Sequence, residues 1–262
     1  MKSLNDAEVA VIGGTGLESL LVEAEKLMVG TPYGFPPKIS VGKVSDKRVA
    51  FLPRHGWRHS VPPHRINYRA NIYALYKIGV KRIIATNAVG AINPNMKPGD
   101  LVVPHDIIDF TRRRRDTFYD DYPVIHIDFT EPYCPEIRKL LIEKSIQVKG
   151  KVWSNAIYVC TEGPRFETPA EIKAFKILGC DIVGMTGATE AVLARELQIC
   201  YATLCFVSNM AAGIAKRVTS KEVIDISKSV IPKIKQILIE VIQNFPKERS
   251  CPCTRALEDA EV

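Results

Sequence analysis

The stretch AIYVCTEGPRFETPAEIKAFKILGCDIVG, residues 156–184, decides the fold. Residues 156–160 are rich in Ile, Tyr and Val and read as a buried strand. The next seven residues carry Gly163-Pro164, which cannot continue a central strand. Thr168 stands directly before Pro169, the cap-then-proline order that starts a helix. That helix ends near Gly179, and Asp181-Ile182-Val183-Gly184 reads as a second short strand. Strand, loop, helix and strand in one unit point to a layered α/β protein.

The alternation extends outward in both directions. Val9-Ala10-Val11-Ile12 is a short strand ending in Gly13-Gly14-Thr15-Gly16, and residues 49–52 form another, closed by Pro53. Asn67 caps a helix predicted over 68–77, with Gly79 as its stop. Residues 82–86 and 101–103 are strands, and Pro135 opens a helix to about Gln147. A helix is predicted over 190–196 and a strand over 201–207. Thr219-x-x-Glu222 is a capping box that opens a long C-terminal helix, kinked at Pro232. The expected fold is α/β: a single-domain three-layer αβα arrangement around a central mixed sheet. It occupies residues 1–246 and is followed by a C-terminal tail, 247–262, containing Cys251-Pro252-Cys253.

Bulk composition removes several classes. The 262 residues are 46% hydrophobic and 25% charged, enough for a large core. No apolar run approaches the ~20 residues of a membrane span, and the first residues lack the apolar segment of a signal peptide. A cytoplasmic protein without a membrane partner is expected. The seven cysteines, 134, 160, 180, 200, 205, 251 and 253, are odd in number, which argues against a secreted disulfide framework. They do not make the CxxC-plus-His pattern of a zinc site, and no metal is expected. Cys251-Pro252-Cys253 reads as a redox pair or a tail clip. The net charge of +7 and the run Arg112-Arg113-Arg114-Arg115 admit a nucleic-acid patch. A solvated loop explains the run as well, and a positive field also suits a small anionic substrate. No nucleic-acid partner is expected.

Ligands in such folds sit at the carboxyl ends of the strands, where six polar clusters fall. Gly13-Gly14-Thr15-Gly16 exposes backbone N–H groups that can cradle an anion. It is neither a Gly-x-Gly-x-x-Gly dinucleotide turn nor a P-loop. Arg54 offers a donor fork suited to phosphate, and His55 beside it is a hydrogen-bond donor or proton carrier. Thr86-Asn87-Ala88 lets the backbone approach a ligand closely, and Thr186 adds a hydroxyl. Thr15, Arg54, His55, Asn87, Ala88 and Thr186 together describe one phosphate pocket of neutral donors and a single arginine. No acidic cluster with metal-ligand spacing accompanies it. The carboxylate of Glu167, on the Gly/Pro-stiffened loop, accepts hydrogen bonds only and suits a ligand edge that presents N–H. Asn209, at the end of the strand over 201–207, is a second polar side chain, whose blander role is a turn cap.

Several of these segments resemble one family. Gly13-Gly14-Thr15-Gly16, Pro53-Arg54-His55-Gly56, Asn67-Tyr68-Arg69-Ala70-Asn71-Ile72, Glu162-Gly163-Pro164-Arg165-Phe166 and Val183-Gly184-Met185-Thr186 look like the purine nucleoside phosphorylases and methylthioadenosine phosphorylases. The resemblance runs from about residue 9 to 245. It implies phosphorolysis: phosphate attacks the anomeric carbon of a nucleoside, and a purine leaves. The activity would be that of a pentosyltransferase in purine salvage, with phosphate as co-substrate and no cofactor. It carries the phosphate contacts onto the six residues above, the sugar contact onto Met185, and a base contact onto Phe166. His126 matches a residue that reaches into a neighbouring subunit's sugar pocket, so a homotrimer or a dimer of trimers is implied. The archaeal-type Cys-x-Cys tail goes with bridges Cys251–Cys253 and Cys134–Cys200.

Two departures set the expected substrate. Members that use 6-aminopurines usually carry Ser or Thr after the aromatic of the base loop and Asp-x-Asp at the base-binding strand end. This chain has Glu167 in the first place and Asn209-Met210-Ala211 in the second. That pair resembles the members acting on inosine and guanosine. A 6-oxopurine shows a donor at N1 and an acceptor at O6. Glu167 accepts the first, and Asn209 donates to the second and stabilises the leaving base as the catalytic group alongside His55. The expected activity is phosphorolysis of 6-oxopurine nucleosides. A methylthioadenosine or methylthioinosine phosphorylase is the alternative within the family, and a water-using nucleosidase the alternative outside it.

Overall fold

The computed structural model describes residues 7–14, 16–215 and 219–262. Thr15, expected in the phosphate pocket, lies outside the described residues. In chain order the main elements are β1 (Val9–Gly13), β2 (Val22–Leu27), β3 (Ile39–Val44), β4 (Lys47–Pro53), α1 (Tyr68–Lys77), β5 (Arg82–Ala91), β6 (Leu101–Val102) and β7 (Asp106–Phe110). They continue with α2 (Pro135–Lys149), β8 (Ile157–Thr161), α3 (Pro169–Ile177), β9 (Ile182–Gly184), α4 (Gly187–Glu196), β10 (Cys200–Met210) and α5 (Ser220–Gln243).

The strands form one mixed sheet in the order β2-β3-β4-β1-β5-β9-β8-β7, with β10 on β5 and β6 on β10. β1 is parallel to β4 and β5, whereas β9 is antiparallel to β5. Helix α1 packs with α4 and α2 with α5, and α2, α4 and α5 lie against β10. The α/β class and the mixed central sheet agree with the sequence expectation. Strand β1 is buried throughout, and α5 turns Val230, Ile234, Ile237, Leu238, Val241 and Ile242 inward.

Local signals explain where the helices start. The Asn67 side chain accepts from the Ala70 N–H at 3.1 Å and caps α1, whose bounds are those expected. A complete capping box opens α3, with Thr168 and Glu171 bonding reciprocally. At α5 Thr219 Oγ1 accepts from the Glu222 N–H at 3.3 Å, the N-cap half of the expected box. Pro232 sits inside α5, which runs as one helix from Ser220 to Gln243.

Two expectations need correction. The bridges Cys251–Cys253 and Cys134–Cys200 are not formed, and all seven cysteines are free and buried. The basic run is not simply a solvated loop. The Arg114 side chain is 2% exposed and hydrogen-bonds the carbonyls of Thr161 and Glu162 and the hydroxyl of Tyr68. Glu162 turns its carboxylate back onto the Arg112 and Arg113 N–H groups. Residues 112–114 therefore clamp the strand end that leads into the Glu167 loop. Among the described residues, no helix is long and apolar enough to cross a membrane.

Candidate active site

A gap in the sheet creates the site. β10 runs along β5 over its whole length. On the opposite edge β1 pairs with residues 82–85 and β9 with residues 90–91. Among the described residues, 86–89 have no ladder partner on that edge, so backbone polar groups there are available to a ligand. Ala88 is the one exposed position of β5. The Gly13-Gly14 turn at the end of β1 borders one side of the gap, and Met185-Thr186 after β9 the other. Gly13 lies so close to Thr86 that a Cβ there would come within 2.9 Å of Thr86 Oγ1.

Arg54 follows β4 and is 3% exposed. It is not the lone cation that the sequence suggests. Its Nε and Nη2 bond the two carboxylate oxygens of Glu190 on α4, the latter at 2.9 Å, and Nη1 donates to Thr86 O at 2.9 Å. Burial opposes the Arg54 charge, but the Glu190 carboxylate outweighs it and holds the guanidinium pKa above its ordinary value. Three of five donors are used, leaving one N–H on each Nη for an anion. Tyr201 Oη donates to Glu190 Oε2 at 2.8 Å and completes the buried network.

His55 is locked as a neutral imidazole. Its Nδ1 lies 2.9 Å from Val61 O, and since a carbonyl only accepts, Nδ1 carries the hydrogen. Burial, then the Arg54 charge, lower its pKa from 6.5 to about 4. Nε2 then carries the lone pair and accepts, which suits the second of the two expected roles, proton carrier, rather than the first, donor. His59 stacks on it with ring centroids 4.2 Å apart. His59 takes a left-handed φ of 58°, uncommon for a non-glycine residue, so the loop holds the stack against local strain.

Asn87 and Thr186 meet as expected. Thr186 Oγ1 donates to Asn87 Oδ1 at 2.8 Å, and Asn87 Nδ2 donates to Thr203 Oγ1 at 2.7 Å. Both side chains are buried. The hydrogen bonds fix the backbone of β5 against the start of α4, where the Thr186 and Gly187 N–H groups donate to Tyr158 Oη at 3.4 and 3.3 Å.

Glu167 follows β8, and Asn209 lies near the end of β10. Thr161 Oγ1 donates to Glu167 Oε1 at 2.7 Å and orients the carboxylate. Burial raises the Glu167 pKa, and the Thr161 hydrogen bond offsets this only in part. Asn209 is presented by a bulge: the β10–β5 register shifts between Val207 and Asn209, which re-aims the side chains that follow. Its Oδ1 accepts from Ser208 Oγ at 2.7 Å and its Nδ2 donates to Met210 O at 2.9 Å. One amide N–H and one lone pair stay available. Ala211 is buried, its N–H on Ala91 O at 2.9 Å, and Met210 is half-buried.

Phe166 is 40% exposed on the same loop as Glu167. Gly163 takes a φ of 66° and rests on Met185, where a Cβ would come 2.6 Å from Sδ. Only glycine allows that loop to lie on the expected sugar contact. His126 is exposed on a segment whose backbone N–H donates to Ala260 O at 2.8 Å. Glu190 and Thr161, which hold Arg54 and Glu167, are not singled out by the sequence, in which His59 reads as an ordinary loop residue. Chemically, one flank carries hydrogen-bond donors for an anion, and the other a carboxylate and an amide that match a donor–acceptor edge.

The family model described as "Phosphorylase superfamily" matches residues 8–243. The chain is 53% identical over 257 residues to the probable S-methyl-5'-thioinosine phosphorylase of Methanopyrus kandleri, covering 97% of this chain and 99% of the relative. It is 52% identical over 261 residues to the 6-oxopurine nucleoside phosphorylase of Pyrococcus furiosus, covering 96% and 98%. A methylthioadenosine phosphorylase structure from an Antarctic soil metagenomic library superposes with a TM-score of 0.92 at 35% identity, covering 98% of this chain and 93% of that one. The chain belongs to the phosphorylase superfamily, within its purine nucleoside and methylthioadenosine phosphorylase family.

Proposed function

We infer that the protein is a purine nucleoside phosphorylase, a pentosyltransferase that cleaves 6-oxopurine nucleosides with inorganic phosphate. Two observations carry this reading: Thr161 Oγ1 holds the Glu167 carboxylate, and a bulge near the end of β10 presents the Asn209 amide. The carboxylate accepts from purine N1–H. The free Asn209 N–H donates to O6, and Oδ1 accepts from N7 as it gains a proton. A 6-aminopurine inverts the edge, and each mismatched buried polar group costs about 1–3 kcal/mol.

The chemistry follows from charge. Breaking the glycosidic bond builds positive charge on the ribose and negative charge on the purine. Phosphate, held by the Arg54 N–H groups and the β5 backbone and offering a P–OH hydrogen to His55 Nε2, stabilises the sugar and attacks its anomeric carbon. Asn209 stabilises the departing base as a preorganised dipole. Phosphate is the co-substrate and the reading invokes no cofactor.

The relative from Methanopyrus kandleri favours a second reading, S-methyl-5'-thioinosine as the nucleoside. It shares the 6-oxopurine edge and differs only at the 5' position. Inosine, guanosine and 5'-methylthioinosine, each assayed with and without phosphate, separate the possibilities. Phosphate-dependent release of hypoxanthine or guanine supports the proposal; release that persists without phosphate identifies a hydrolase. The exposed His126 fits a role across a subunit boundary in a trimer or a dimer of trimers, which sedimentation of the purified protein tests.

A further inference from the structure

We propose that Cys134, Cys200, Cys251 and Cys253 bind one thiophilic divalent cation, zinc, in an all-thiolate site that fastens the C-terminal segment to the sheet. Three separate parts of the chain supply the sulfurs. Cys134 is the N-cap residue of α2, Cys200 opens β10, and Cys251 and Cys253 flank Pro252 in the tail. All four Sγ atoms lie within 4.8 Å of one another, and all four side chains are buried.

The separations match a metal better than two bridges. A zinc ion with Zn–S bonds of ~2.3 Å at the centre of a regular tetrahedron sets its sulfurs about 3.8 Å apart. The sulfurs of Cys200 and Cys251 stand 3.3 Å apart, a pair that runs between the two expected bridges and belongs to neither. A bridge joins sulfurs at ~2.05 Å and needs no second pair beside it. Four sulfurs around one focus are what a tetrahedral cation requires, and soft thiolates select zinc over hard cations.

Charge supports the same assignment. Four thiolates around a divalent ion leave two negative charges. The Arg249 guanidinium, held by Gln198 O at 2.8 Å, sets Nη1 3.8 Å from Cys200 Sγ. A neutral thiol gains little from that neighbour, whereas a thiolate cluster gains both a donor and a countercharge. On binding, the four thiol protons leave to solvent and four metal–sulfur bonds form, with no change of oxidation state.

The site has a structural consequence. Beyond Cys253 the chain returns so that Ala260 O accepts from His126 N–H at 2.8 Å and Val262 N–H donates to Val124 O at 3.1 Å. Fixing the tail therefore fixes the segment that carries His126.

The test is elemental analysis of the full-length chain, purified with a reductant and without chelator, then exposed to excess zinc and dialysed. The expected result is one zinc per chain, at least tenfold less in Cys251→Ser/Cys253→Ser, and an unchanged content in Cys180→Ser. Cobalt exchanged into the unsubstituted protein should give the intense visible absorption of a tetrahedral thiolate site, a readout that needs no variant. A metal-free protein, these cysteines found bridged by mass under denaturing non-reducing conditions, or zinc retained by the double variant overturns the proposal.

Discussion

Arg54 and Glu190, 136 residues apart in sequence, form a two-point ion pair beneath the strand ends, with Nη2 2.9 Å from Oε2 and Nε on Oε1. Glu190 neutralises and aims the cation that the phosphate would meet. Arg54→Ala should raise the KM for phosphate at least about tenfold while changing the nucleoside KM far less. It should also lower stability by roughly 3–5 kcal/mol, because the Glu190 charge is left buried without its partner. Initial rates over a phosphate series and a urea unfolding curve check both. A larger effect on nucleoside than on phosphate would remove Arg54 from the anion site.

His55 gives stability a pH dependence of known sign. Its folded pKa is lowered to about 4 from 6.5, so between these values the unfolded chain binds the extra proton. Stability from this group is complete above about pH 6.5 and falls as pH drops toward 4, by up to about 3 kcal/mol. Unfolding curves measured across that window should show the loss, and His55→Gln should lack it.

Glu167 predicts an acid limb in nucleoside binding. Burial raises its pKa above the usual 4.5. As pH falls through that raised value the carboxyl gains a proton and turns a donor toward purine N1–H. The KM for inosine should therefore climb on the acid side while the KM for phosphate follows phosphate's own titration. Glu167→Gln should flatten the limb and reduce kcat/KM for inosine roughly 10- to 100-fold, the equivalent of about 1–3 kcal/mol. An unchanged limb in the variant would assign it to another group.

Arg114 holds the base loop from behind through the carbonyls of Thr161 and Glu162. Arg114→Met keeps bulk but removes the donors. It should raise the nucleoside KM by about tenfold, close to the low end of the ~1.5–3 kcal/mol of charge-assisted hydrogen bonds, and leave the phosphate KM nearly unchanged. Steady-state kinetics with each substrate varied separately decides this.

The sequence displays some of this architecture and hides the rest for physical reasons. Helix α1 is legible because Asn67 and Gly79 are local signals that work without the rest of the fold. Strands β2 and β7 are not, because they lie mostly exposed, carry charges and are held by pairing with distant strands. Asn209 reads as a strand exit, yet the bulge at Ser208 keeps it inside β10. Glu190 looks like an ordinary helix charge until Arg54 is found beside it. The signal was its setting: Ala188, Ala191, Leu193 and Ala194 surround it, and a helix that is apolar on most sides buries its charges. Of the four-cysteine cluster only Cys251-Pro252-Cys253 has a local spacing, since Cys134 and Cys200 come from two other segments.

The central claim is that Glu167 and Asn209 read a 6-oxopurine edge. Competition between inosine and adenosine in one phosphate-buffered reaction measures it most directly, with Asn209→Asp run in parallel. The account predicts a higher kcat/KM for inosine in the unsubstituted protein and a shift toward adenosine in the variant. Equal or faster cleavage of adenosine by the unsubstituted protein would contradict it.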